Sequence, residues 1–426
     1  MSTSRRALGV VAVGLALALA TAACSSDGTP DTNTDEPAGP AEQTPEAVTF
    51  WGSWSGDQVA QLEQQTAAFN ASQDAYEVTY VPQELVEEKL LTGMASGQVP
   101  DLVLWDRYQT SLYVPKGALA PLDELIERDG VDLGQFYEQA LGEMIVDGAT
   151  YGIPLLVDNR SLFFNATILA EAGLEPPTTW DEMRAVAQQV MVADGGQLTR
   201  AGFALNDPGL FNMWLRQAGG SMFSEDGTTT AFNSPEGLEV LAFWQSLLDD
   251  GSFTLGFGEG VDAFAEGNLV MKYDGPWALS GLAAAGSVDY GIVEPLTGPD
   301  GDRGAGMGGF GLIIPEGAEN VEGAWEFIKW WTTVPENGVA FAEISGWIPA
   351  NIEAANDSYF TDNPHYAAFI AAMDYASVRS NTAGASDVEG MALIPALQRF
   401  MAGEITAEAA LSEAQQLGDE ILGQNR

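Results

Sequence analysis

From residue 47 onward, stretches in which apolar and polar positions alternate give way in turn to stretches with a helical period of about 3.6 residues. Val48-Thr49-Phe50-Trp51 predicts a strand, and Ser55 reads as the cap of a helix on which Val59, Leu62, Thr66 and Phe69 recur at helical spacing. A strand over 76–81, a helix over 85–94 and a buried strand over 101–105 follow. That βαβα order predicts a parallel sheet covered by helices on both faces.

The pattern restarts in the middle of the chain. Ser161-Leu162-Phe163-Phe164-Asn165 predicts a strand, and Thr179 followed by Glu182 predicts a capping box for a helix carrying Met183, Val186 and Val190. Ser234-Pro235 predicts the start of another helix, with Leu238, Leu241, Trp244 and Leu248 on one face. Strands are expected at 269–273 and 290–293, then a glycine-rich crossing over 298–311 and a short strand over 312–315. The helix over 321–333 should turn Ala324, Phe327, Ile328 and Trp331 inward, and the last, over 407–422, Leu411, Ala414, Leu417 and Ile421.

The N-terminus changes the picture. Arg5 and Arg6 precede an apolar run over 8–20, about as long as the core of an export signal and too short for an ordinary membrane span. Thr21-Ala22-Ala23-Cys24 then resembles a bacterial lipobox, with Thr21 where Leu is usual. Residues 1–23 are therefore expected to be a lipoprotein signal peptide and Cys24 the lipidated residue. Ser4-Arg5-Arg6 leaves general secretion and twin-arginine export both open. Residues 24–46, rich in Pro, Thr, Asp and Glu, hold no large apolar side chain. They predict a disordered tether spanning about 25 Å.

Charge and composition exclude several classes. Sixteen Lys and Arg against 61 Asp and Glu give a formal net charge of -45, so nucleic acid and anionic membrane surfaces are poor partners. One histidine, His365, and one cysteine, Cys24, argue against a clustered metal site, and no cofactor is expected. Gly52-Ser53-Trp54-Ser55-Gly56 puts Trp54 where a nucleophile elbow has its serine, and the run from Gly304 to Gly309 lacks the Lys-Ser/Thr ending of a phosphate loop. That run reads instead as a hinge or a place of close backbone approach. A secreted glycoside hydrolase with two spaced carboxylates stays open as an alternative, but no enzyme is expected.

Binding chemistry is better supplied. The chain holds 11 Trp and 11 Tyr, several of them beside glycines or polar residues at predicted strand ends. In wound α/β sheets those ends line the ligand crevice. Indole rings offer faces for sugar C–H groups, while carboxylates, amides and guanidinium groups take hydroxyls. The candidates are Trp54 after the first strand, Asp106 and Arg107 after the third, and Asp158, Asn159 and Arg160 before the fourth. Asp274 and Trp277 follow another strand, and Trp347 lies in Ser345-Gly346-Trp347-Ile348-Pro349.

Taken in order, Val48-Thr49-Phe50-Trp51-Gly52-Ser53-Trp54, Val99-Pro100-Asp101-Leu102-Val103, Tyr151-Gly152-Ile153-Pro154, Pro177-Thr178-Thr179-Trp180-Asp181-Glu182, Asp274-Gly275-Pro276-Trp277 and Gly308-Gly309-Phe310-Gly311 resemble the family 1 extracellular solute-binding proteins, sugar-binding lipoproteins of bacterial ABC importers. The resemblance covers about residues 47–426. It implies an α/β, two-lobed periplasmic-binding-protein-like fold, each lobe a sheet flanked by helices, with hinge strands and a ligand cleft between. By analogy lobe one takes 47–156 and 305–346, and lobe two 157–304 and 347–426. Family sugar contacts match Trp54, Asp106, Asn159, Trp214, Trp277, the Gly309-Phe310 backbone and Arg379. The implied activity is capture of a mono- or oligosaccharide and delivery to permease subunits by cleft closure. The protein would be a monomer, lipid-anchored on the extracellular face of the cell membrane. A non-sugar solute such as a glycerophosphodiester is the alternative, with Arg107 and Arg379 as its donors.

Overall fold

The structure is a computed structural model that describes residues 44–205 and 207–425. The expected signal peptide, Cys24 and nearly all of the expected tether lie outside the described residues. The first strand, Glu46–Gly52, takes in Glu46, the last residue expected of the tether.

Three sheets organise the fold. In the first, the strand order is Tyr76–Pro82, Glu46–Gly52, Leu102–Asp106, Phe310–Ile313, Ile153–Pro154. The first three run parallel, as the βαβα pattern requires, and Phe310–Ile313 joins antiparallel. The sheet is therefore mixed rather than parallel throughout, because its last two strands come from distant parts of the chain. Val48 and Phe50 point from one face into the core. There the Phe50 ring meets that of Phe327, on the helix Val321–Thr332, at 5.8 Å, and Phe69 of the helix Asp57–Ser72 meets Phe327 at 5.0 Å. Ser55 does not cap that helix: Gly56 holds the cap position and no side chain accepts there.

The second sheet runs Tyr290–Val293, Ser161–Asn165, Leu269–Asp274, Gln197–Ala204, Val192–Asp194. Its core is aromatic, with Trp180, Trp214 and Trp244 buried around Phe203 and Phe243. The helix Trp180–Val190 begins on Thr179, whose hydroxyl accepts from the Glu182 N–H as expected. On Pro235–Asp249 the buried stripe is Val240, Leu241, Phe243, Trp244 and Leu247, shifted from the predicted one. Leu417, expected inside, is 41% exposed.

A third, smaller sheet lies where the chain passes between these two, in the order Ile348–Pro349, Leu156–Asn159, Ala305–Gly308, Ala376–Ser377. Leu156–Asn159 carries the chain from the first sheet to Ser161–Asn165 of the second, and Ala305–Gly308 carries it back to Phe310–Ile313. The two crossings pair antiparallel, Gly308 opposite Asp158. The glycine-rich crossing expected over 298–311 thus contains a strand, Ala305–Gly308. Two sheets, each covered by helices and joined by paired crossing strands, make a two-lobed α/β fold.

Candidate functional site

A cleft of about 500 Å³ opens along the crossing strands, a volume within the range of small-molecule sites. The first sheet contributes the ends of its strands. Trp54 follows Glu46–Gly52, Asp106 ends Leu102–Asp106, and Phe310 sits opposite Asp106 in register. The crossing strands contribute Asp158 and the backbone of residues 306–309. Trp277, Trp347, Asn212 and Met213 complete the lining.

The aromatic side chains form one connected surface. Trp54 stacks on Trp347 with ring centroids 5.4 Å apart, and Trp277 tilts against Trp347 at 4.9 Å. Phe310 stands edge-on to both Trp54 and Trp347, at 5.3 and 5.6 Å. The polar groups are fixed around it. Arg160 bonds Asp158 at 2.8 Å and lays its guanidinium 4.1 Å from the Trp277 ring centre. Arg379 bonds Glu389 at 2.9 Å and lies 4.9 Å above Tyr108. Burial pushes the Asp106 carboxyl up to about 7, although the charges of Arg379 and Arg107 pull it down.

Nine of the thirteen expected ligand residues thus converge on the cleft: Trp54, Asp106, Asp158, Arg160, Trp277, Gly309, Phe310, Trp347 and Arg379. Four do not. Arg107 turns away from its neighbour Asp106 and is fully buried. It pairs with Glu143 at 2.9 Å and donates to the carbonyls of Leu156 and Gly308, so it braces the crossing strands. Asn159 is buried on the opposite face of its strand from the cleft, where its amide donates to the Phe369 carbonyl at 2.8 Å. Trp214 is fully buried in the core of the second lobe, 5.2 Å from Trp180. Asp274 is held by Lys272 at 2.7 Å and accepts from the Gly275 N–H, beside the cleft but not on its wall.

Some lining residues were not expected, notably Gln58, Asn212, Met213 and Ser377. Asn212 lies on the same helix, Phe211–Gln217, as Trp214. Two residues apart on a helix means nearly opposite faces, so the likeness to relatives points to the right helix and the wrong side.

Comparison with known proteins agrees with this geometry. Residues 64–368 match the family profile described as bacterial extracellular solute-binding protein. A binding protein of Brucella abortus (strain 2308) is 26% identical over 382 residues, 85% of this chain and 89% of its own. The maltotriose-binding protein of Pyrococcus abyssi is 26% identical over 77% of this chain and 72% of its own. Among solved structures, the cyclic alpha-maltosyl-1,6-maltose binding protein from Arthrobacter globiformis superposes with a TM-score of 0.75 at 26% identity, covering 89% of this chain and 100% of that one. The GacH receptor of Streptomyces glaucescens shares the fold, with a TM-score of 0.78 at 22% identity over 90% of this chain and 100% of its own. These relatives and neighbours are solute-binding proteins rather than enzymes. With a family match that spans residues of both sheets, the chain belongs to the bacterial extracellular solute-binding proteins.

Proposed function

We propose that the cleft captures a carbohydrate and that the loaded protein delivers it to the permease of an ABC importer. The observation that carries this reading is the joined aromatic surface of Trp54, Trp347, Trp277 and Phe310, rimmed by Asp106, Asp158, Arg160 and Arg379. Trp277 and Phe310, only partly buried and backed by the stacked Trp54 and Trp347, offer aromatic surface to the C–H faces of a pyranose, and charged planar groups match its hydroxyls. The maltotriose-binding relative and the maltosyl-maltose-binding neighbour support the same class of ligand.

Lobe one takes residues 47–156 and 305–346 in this reading, and lobe two 157–304 and 347–426. Ligand held by one lobe draws the other closed, a population shift that requires better contacts in the closed state than in the open one. Lipidation at Cys24 and a flexible tether would keep the protein at the extracellular face of the membrane, free to reorient toward the permease. Cys24→Ala should then release the protein into the culture medium.

Calorimetry and tryptophan fluorescence with mono-, di- and oligosaccharides test the ligand class. At least one is expected to bind the mature domain with a fluorescence change from the cleft tryptophans. Silence across the whole panel would remove the carbohydrate reading.

A further inference from the structure

The helix Phe211–Gln217 turns Asn212 into the main cleft, and Arg216 lies one turn further along the same face. The side chain of Arg216 has no ion pair, hydrogen bond or ring partner among the described residues. Every other described lysine and arginine has at least one. This is a chain with 61 acidic residues to 16 basic ones, so an unmatched arginine is not for want of carboxylates. The group is also half-buried, and that burial pulls its pKa down with no neighbouring carboxylate to oppose it.

Arg216 lines a second cavity of about 320 Å³ that adjoins the main cleft and shares Asn212 and Arg379 with it. Ser221, Ser380 and Ser386 add hydroxyl groups to its wall. The two acids on that wall leave Arg216 unneutralised: Glu389 is taken by Arg379, and Glu225 is exposed and forms no ion pair among the described residues. Glu389 engages Nε of Arg379, and the Arg379 side chain lines both cavities.

A cation withdrawn from water without a counter-charge costs free energy, and a ligand anion is the partner that recovers it. We propose that this second cavity binds an anionic oxygen group, a carboxylate or a phosphate, carried by a ligand whose sugar rings lie on the tryptophans of the main cleft. The proposal rests on the carbohydrate reading above and adds the ligand's charge to it. Arg216 supplies a planar pair of donors, the serine hydroxyls supply more, and Arg379 sits at the junction of the two cavities.

Calorimetry on the full folded domain and on Arg216→Gln tests this, with three sets of probes. These are neutral oligosaccharides, the same oligosaccharides ending in a uronic acid, and sugar phosphates with glycerophosphodiesters. Either acidic set should bind about tenfold or more tighter than its neutral counterpart, with an affinity that falls as salt is raised. Arg216→Gln should remove that preference and leave the neutral affinity and the melting temperature nearly unchanged, while Arg216→Lys should keep part of it. The two acidic sets separate a carboxylate from a phosphate. Neutral sugars that bind as tightly as acidic ones would overturn the inference and leave the carbohydrate reading standing. An equal loss for neutral and acidic ligands in Arg216→Gln would overturn it too. If no sugar of any charge binds, both readings fall.

Discussion

Trp54 stacks on Trp347 with the ring planes inclined by only 20° and the centroids 5.4 Å apart, and each residue is 5% exposed. One follows the first strand of the fold; the other precedes the strand Ile348–Pro349 of the crossing sheet. The contact therefore ties the first lobe to the crossing sheet. Phe310 braces both rings edge-on. A surface held this way loses little freedom on binding, which is where pre-organisation gains affinity.

Both tryptophans should therefore count twice, in stability and in binding. Trp54→Ala is expected to cost about 3 kcal/mol or more of stability, as large aromatic truncations in a core do. The double variant with Trp347→Ala should lose less than the two single losses added, with a coupling of about 1 kcal/mol from the lost stack. Urea unfolding of the four proteins measures this, and strict additivity would mean the stack contributes nothing.

Trp277 should behave differently. It is only half-buried, with Arg160 over its ring and Trp347 tilted against it. Trp277→Ala is expected to lower sugar affinity by about tenfold or more, with a much smaller loss of stability than Trp54→Ala. Calorimetry and thermal melting on the same preparation separate the two effects. A melting temperature that falls as far as for Trp54→Ala would make Trp277 a core residue instead.

The Asp106 carboxyl is pushed up to about 7 by burial, against the pull of Arg379 and Arg107, while Glu143 and Asp158 push it further up. No side chain among the described residues donates a hydrogen bond to it. The folded protein thus holds a proton that the unfolded chain gives up near an ordinary carboxylate value of about 4. Stability from this group is largest below that value and is lost as pH rises toward 7. Sugar hydroxyls donated to Asp106 would favour its charged form, so binding below pH 7 should release a proton. Affinity should accordingly rise with pH up to about 7 and then level off. Calorimetry near pH 6 in buffers of different ionisation enthalpy reads the released proton directly, and Asp106→Asn should abolish it.

How much of this was legible in the sequence depends on the geometry of each segment. The strand carrying Val48 and Phe50 and the helix carrying Ala324, Phe327, Ile328 and Trp331 bury one face against a single core, so their spacing announces them. Trp277 comes just after one strand, Trp347 just before another, and Gly309 and Phe310 at the junction of two, and such strand ends face the cleft. The side of an element is harder to read. Asp106 and Arg107 are neighbours, yet one enters the cleft and the other braces the crossing strands; Trp214 and Asn212 divide one helix in the same way. The strand Ala305–Gly308 went unseen because two of its four residues are glycines. With alternate side chains missing, no period of two remains. For one of those glycines the reason lies in a contact made only after folding: a Cβ on Gly308 would stand 3.1 Å from an Asp158 carboxylate oxygen.

Gly309 and Arg107 show that the crossing strands leave no slack. Gly309 has φ +124°, and a Cβ there would meet the Leu156 carbonyl oxygen at 2.2 Å and Arg107 Nη1 at 2.6 Å. Gly309→Ala must therefore shift backbone, strain φ and dislodge the guanidinium together, and a loss of about 2 kcal/mol or more is expected. Arg107→Met should cost about 3 to 5 kcal/mol, because it strands Glu143 as a buried acid without its counter-charge. Burial already holds the Glu143 carboxyl above its ordinary range despite Arg107, so that acid would then take up a proton at still higher pH. Arg107→Met combined with Glu143→Leu should recover part of the loss, since an apolar pair of similar volume strands no charge. Urea unfolding of these variants, with sugar affinity measured on the folded fraction, distinguishes a brace from a ligand contact. A brace loses stability and keeps affinity. A ligand contact would lose affinity first, and that outcome would return Arg107 to the cleft where its place beside Asp106 in the sequence had put it.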